Sequence, residues 1–279
     1  MLDQKQSSLL SATPAATPVG NIAAPDDGQL VELANPGGQA PLLLVCDHAG
    51  GRIPAQLGDL GLPAHELERH IAFDIGAADL TRRLARLLDA PAVLCHVSRL
   101  VVDPNRVPGD PSSIPVISDG TVIPGNQELS RDEIRRRLAA AFIPYHRAVA
   151  RQIAGLRRRH GIPAIVSIHS FTPHLGASAR PWEVAVLWDG DRRLAGLALE
   201  RLRRNHALQV GDNEPYSGRY PVAYTIPFHA ARTGLPHVTF EVRQDLIASR
   251  AQAELWADRL AAVLREPLAD RRLYRRHLG

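Results

Sequence analysis

Two histidines close short apolar runs that lie far apart in the chain. His48 comes after LLLVC and Asp47, and His169 comes directly after AIVSI. Other runs end in charged groups. Glu241 lies within VTFEV with Arg243 just beyond it, and LCHV leads into Ser98, Arg99 and the stretch Asp103-Pro104-Asn105-Arg106. Imidazole nitrogen and carboxylate oxygen are zinc ligands, and catalytic zinc sites take three protein ligands while leaving a position open for water. The pattern selects His48, Asp74 and His169 as a candidate set. Asp74 stands just before a helical stretch, so it also reads as a helix N-cap. Glu66, Glu68 and His70 are the substitutes in that case. A lone histidine after a strand is usually structural. Several polar endings gain meaning if the runs are parallel strands, whose carboxyl ends share the edge where open α/β sheets bind ligands.

The rest of the sequence supports that condition. Candidate strands are Leu42 to Cys46, Ala92 to Val97, Ala164 to Ile168, Val184 to Trp188 and Val238 to Val242. Candidate helices are Ile75 to Leu88, Arg131 to His160, Arg192 to Asn205 and Ser249 to Leu264. Ser130 and Glu133 form a capping-box pattern, and Pro144 should kink or split the long helix. Asp189 and Asp191 can serve the start of the next one. Strands separated by helices predict right-handed crossovers and a three-layer α/β fold, with a mostly parallel mixed sheet between helices. Residues 1–38, rich in Ala, Pro, Ser, Gly and Gln, read as a mobile tail pinned near Leu30 to Leu33; residues 39–279 read as one α/β domain. The Pro- and Gly-rich segment Val107 to Leu129 is too long for an ordinary connection and is a candidate active-site loop.

Composition excludes several function classes. The chain has 279 residues and a net charge of +4, but its arginines are spread over predicted helices and only 5% of residues are aromatic, so no base-stacking surface is expected. No apolar run is long enough to span a membrane, and the N-terminus has no apolar core of a secretion signal. The expectation is a cytoplasmic protein without nucleic-acid or membrane partners. Cys46 and Cys95 sit in apolar runs and read as reduced core thiols.

Asp47-His48-Ala49-Gly50 with Arg52 and Pro54, then Phe73-Asp74, Ser98-Arg99 through Arg106, Ile168-His169-Ser170 and Glu241 together resemble the N-formylglutamate amidohydrolases. The resemblance runs from about Pro41 to Leu246. It implies a zinc-exopeptidase-like fold, Zn2+ or another divalent metal as cofactor, and hydrolysis of N-formyl-L-glutamate to formate and glutamate in histidine degradation. The chain departs from the family's deformylases at Asp47, where proline is usual, and at Ile75-Gly76, where Trp-His is usual. The metal chemistry is therefore expected to carry over better than the substrate.

On that reading Glu241 is the general base, with a core carboxylate paired to an arginine as the alternative. Arg99 is the first candidate to stabilise the oxyanion and Arg243 the second. Arg106 is chosen for the substrate carboxylate because guanidinium binds carboxylate through two parallel hydrogen bonds; a structural pair with Asp103 or Asp110 is the bland reading. Asn105 adds a neutral donor, and Arg180 and Arg219 are further candidates, with Arg180 and Arg243 also assigned to substrate. His229, His174 and Tyr216 are weaker choices. The expected partner is a small carboxylate-bearing N-acyl amino acid, with a homodimer possible. Competing functions are a metallo-exopeptidase or amidase on another acyl-amino acid or peptide, and a non-catalytic protein that binds an anionic metabolite.

Overall fold

The computed structural model describes residues 30–277. Seven strands form one sheet: β1 (Val31–Ala34), β2 (Leu42–Cys46), β3 (Ala92–Cys95), β4 (Ala164–Phe171), β5 (Val184–Leu187), β6 (Val210–Asp212) and β7 (His237–Arg243). Their spatial order is β1-β3-β2-β4-β7-β5-β6. The central strands β3, β2, β4 and β7 run parallel. β1 is antiparallel to β3, and β5 is antiparallel to β7. The sheet is thus mixed and mostly parallel. Its principal helices are α1 (Ala77–Leu87), α2 (Arg131–Arg137), α3 (Ile143–His160), α4 (Arg193–Arg203), α5 (Thr225–His229) and α6 (Arg250–Ala269).

Alternation along the strands divides the core in two. One face sends Leu42, Leu44, Leu94, Val166, Val186 and Phe240 against α1, α4 and α6. The other sends Leu43, Val45, Val93 and Ile165 against Tyr145, Val149, Ile153 and Leu156 of α3. This second core takes Ile165 from β4 and no residue from β7 or β5. Helices therefore cover the sheet on both faces, but the second face is left open over β7.

The folded chain starts earlier than expected. β1 pairs with β3 from Val31 to Ala34, so the boundary near residue 38 is corrected to about residue 30, and the pinning point near Leu30 to Leu33 coincides with this strand. The part of the tail call that covers residues 1–29 lies outside the described residues. The long helix is split as expected: α2 ends at Arg137, a π-turn spans Leu138–Phe142, and α3 begins at Ile143 with Pro144 in its first turn. The expected capping box at Ser130 and Glu133 is present, and Ser249 with Gln252 forms another at α6.

Candidate active site

His48, Asp74 and His169 come from three elements and meet at the carboxyl end of the parallel strands. His48 follows β2, His169 lies within β4, and Asp74 precedes α1, its backbone N–H donating to the His48 carbonyl at 3.0 Å. The α1 N-cap is Gly76, with no side-chain cap, so Asp74 is released from the capping role. Its Oδ2 lies 2.8 Å from His169 Nδ1 and 3.3 Å from His48 Nδ1. One ligand atom from each of the three residues falls within 4.8 Å of the others, and all three side chains are buried.

The far nitrogens of both rings meet carboxylates. His48 Nε2 is 2.8 Å from Asp103 Oδ1, and His169 Nε2 is 3.1 Å from Asp47 Oδ2. Carboxylates placed there accept from Nε2–H and leave the Nδ1 side of both rings facing Asp74, the orientation that accompanies metal-ligating histidine. Asp47 also accepts from Tyr145 Oη and Thr225 Oγ1, each at 2.7 Å on Oδ1. Asp103 is clamped on Oδ2 by Arg99 Nε and Nη2 at 3.1 and 2.7 Å. Two imidazoles and one carboxylate, each oriented from behind, fit a divalent ion with one position left over.

The charges follow from these contacts. Burial works to raise Asp47, but His169 beside it holds the carboxyl at about 2. Burial opposes ionisation of Asp103 as well; Arg99 and His48 outweigh it and keep the group well below the ordinary carboxylate range. Glu241 differs. It is buried on β7, at the same level as His169 on β4, its Oε2 has no hydrogen-bond partner, and burial pushes it up to about 7. No arginine pairs with it among the described residues, so the core ion-pair alternative is not what the structure shows.

A cavity of 480 Å³ opens over this cluster, lined by His48, Asp74, His169, Glu241, Arg99, Asn105 and Arg106 among others. Besides Asp103, Arg99 has Nη1 3.6 Å from Asp74 Oδ1. Arg106 pairs with neither Asp103 nor Asp110. Its Nη1 donates to the Asn105 carbonyl, and its guanidinium stacks 5.2 Å over the Tyr220 ring. Asn105 Oδ1 accepts from the Tyr224 and Thr225 amides at the start of α5, and the residue lines the cavity. Arg180 is buried behind the wall, where it donates from Nη1 to Tyr216 Oη at 3.0 Å and stacks 4.8 Å over that ring. Tyr216 itself lines the cavity.

Other choices are corrected. Arg243 does not face the cavity: Asp245 takes its Nε at 2.8 Å, and Nη1 donates to the Pro181 carbonyl. Arg219 pairs with Asp189 on the surface. Glu66 is held by Arg69 and Thr121, away from the triad. His174 sits in an exposed two-residue strand. His229 is buried against His146, Nε2 to Nδ1 at 3.0 Å, and burial lowers it to about 3, so the pair is neutral packing. The segment from Val107 to Leu129 contributes no lining residue. It folds on itself through the strand pair Ile117–Ser118 and Thr121–Val122, and Asn126 Oδ1 accepts from Arg137. The cavity wall comes instead from residues 215–227, in which the sequence singles out Tyr216 and Arg219, and of these two Tyr216 lines the cavity.

Comparison with known proteins identifies the family. The family model described as N-formylglutamate amidohydrolase matches residues 40–248. An N-formylglutamate deformylase of Pseudomonas aeruginosa is 29% identical over 148 residues, which is 50% of this chain and 54% of that protein; the chain thus matches about half the length of this curated relative. The crystal structure of a gene product from Agrobacterium tumefaciens superposes with a TM-score of 0.85 at 36% identity, covering 89% of this chain and 98% of that one. An N-formylglutamate amidohydrolase from Ralstonia eutropha JMP134 shares the fold, with a TM-score of 0.60 at 21% identity over 85% of this chain and 98% of that chain. The chain belongs to the N-formylglutamate amidohydrolase family.

Proposed function

We propose that this protein is a zinc-dependent hydrolase that cleaves the formyl amide of N-formyl-L-glutamate or a closely related N-acyl amino acid. The observation that carries the reading is the placement of buried Glu241, whose Oε2 has no hydrogen-bond partner, in the same cavity as His48, Asp74 and His169. His48, Asp74 and His169 would hold a divalent ion, for which zinc suits the donors, and when bound it would supply Lewis acidity toward the acyl oxygen and water.

The remaining steps belong to the chain's own groups. Glu241 takes a proton from the attacking water and returns it to the leaving nitrogen as the C–N bond breaks, so water and amide become carboxylic acid and amine. Arg99, kept charged by Asp103 and Asp74, donates a hydrogen bond to the oxygen that becomes negative. Asp47 and Asp103 keep the imidazoles in place by accepting from Nε2. Arg106 and the Asn105 amide receive a substrate carboxylate. Arg180 supports Tyr216 as a second anchor on the opposite wall.

Metal analysis combined with a panel of N-formyl and N-acetyl amino acids tests this. One equivalent of zinc and formate release from N-formyl-L-glutamate are expected, and alanine at His48 or His169 should lower the zinc content. Zinc-replete protein inactive on every formyl substrate would refute the reading. Less than about a tenth of an equivalent of zinc after metal-replete purification would favour a purely binding protein.

A further inference from the structure

The cavity extends past the cluster just described. On β4, Ser167 lies two residues before His169, and on β7, Thr239 and His237 lie two and four residues before Glu241. Side chains two apart share a face of a strand, and each residue advances about 3.3 Å. The register places Thr239 beside Ser167 and Glu241 beside His169, so all five point to the same side. All five line the one cavity. It is therefore a trough running about 13 Å down the sheet from Glu241 to His237, over the part of the second face that α3 leaves uncovered.

The trough floor is polar where a core would be apolar. Ser167 is 1% exposed, yet its Oγ has no hydrogen-bond partner. His237 is likewise buried; its Nδ1 is used by the Leu235 carbonyl, and no partner meets its Nε2 among the described residues. A buried hydroxyl left unpaired costs about 1–3 kcal/mol, so such groups normally find a partner. The walls beside them are Leu187, Ile226 and Pro227. No arginine or lysine lines this stretch, and Asp189 lies among the lining residues at its far end. Arg99 and Arg106 stand at the other end, with the candidate metal ligands.

We propose that this trough is a subsite for an uncharged, hydrogen-bonding acyl group, so that the substrates include N-acyl amino acids whose acyl chain carries an amide or hydroxyl a few bonds from the scissile carbonyl. This rests on the amidohydrolase reading above. A carboxylate is drawn to the arginines at the mouth and finds no cation along the trough, whereas a neutral amide both donates and accepts, matching Ser167, Thr239 and His237. The cavity volume also falls in the range of drug-sized ligands, about 300–1,000 Å³, which an N-formyl amino acid fills only in part.

The test compares three L-glutamate amides on zinc-replete, full-length protein: N-formyl, N-(4-amino-4-oxobutanoyl), and N-(4-methylpentanoyl), the last an isosteric hydrocarbon of the second. kcat/KM is measured for each, and Kd by titration calorimetry. The amide chain should exceed its hydrocarbon isostere roughly tenfold in both, and Ser167→Ala and Thr239→Val should each cut that ratio roughly 3- to 10-fold. The ratio cancels general losses from misfolding. An equal or reversed ratio in the unmutated protein, or a ratio untouched by both variants, overturns the subsite. Cleavage of the formyl compound with neither longer amide cleaved or bound overturns it while leaving the deformylase reading intact. If nothing is cleaved, the enzymatic reading falls and the Kd ratio alone decides the subsite.

Discussion

Glu241 shares its cavity with two imidazoles and a carboxylate while its own Oε2 has no partner, and burial raises it to about 7 from an ordinary 4.5. Between those two values the folded chain holds a proton that the unfolded chain has released. The group therefore lowers stability progressively as pH rises through that window and lowers it most above about 7. Metal-free Glu241→Gln is expected to be more stable than the parent at pH 8 by about 1–3 kcal/mol, with the gap closing at pH 5, as read from urea unfolding at both values. The same substitution should reduce kcat roughly 10²- to 10⁴-fold in the metal-loaded enzyme, as expected for loss of a general base. The arginines make a contrast of their own. Arg106→Ala should lower kcat/KM for a glutamate-based substrate about 10- to 100-fold through KM. Arg243→Ala, whose guanidinium is already occupied by Asp245, should stay within about 3-fold of the parent.

Gly76 shows how an element constrains the chemistry beside it. Its φ of 78° is a left-handed conformation, and a Cβ there would lie 2.0 Å from the Ile247 carbonyl oxygen. Gly76→Ala is expected to cost roughly 2–4 kcal/mol in denaturant unfolding and to weaken zinc binding, because the turn that strains is the one presenting Asp74. Much of this element layout is legible in the sequence. The apolar runs mark β2 to β5 and β7, and the polar residues at the ends of the parallel strands β2, β3, β4 and β7 converge, Arg243 excepted, because parallel pairing brings those carboxyl ends together. What escapes is short or depends on ring and turn orientation. β1 and β6 are four and three residues long in Pro- or Gly-containing stretches, and α5 is a single turn. Strand alternation puts Arg243 on the same side as Glu241, but the turn beyond the strand supplies Asp245, which spacing alone does not reveal. Ser167 was legible in principle: it is the one polar residue in AIVSI and alternates with His169. The roles of Asp47 and Asp103 depend on which ring nitrogen each one meets, and no linear pattern encodes that.

The molecule as a whole is braced at one edge by β1. Glu32 accepts from Arg82 Nη2 at 2.7 Å and lies 2.6 Å from His96 Nε2, and these contacts hold its carboxyl at about 2 despite burial. The region matched by the family model starts at residue 40 and so omits this strand. Chains begun at residue 30 and at residue 37 differ chiefly by β1. The shorter one should melt several degrees lower, on a scale of about 2–4 °C for each kcal/mol lost in a protein of this size, as read by calorimetry. At the opposite side, β5 runs against β7, so the chain leaves the sheet at Trp188 and Asp189, near His237 and away from the histidine cluster. A single reversed strand thus separates two design variables. The ends of β2, β3, β4 and β7 carry the residues proposed for hydrolysis, while the turn after β5 lies beside His237 at the other end of the cavity. Lengthening or shortening that turn is a route to new reach in relatives of this protein that does not disturb the atoms performing hydrolysis.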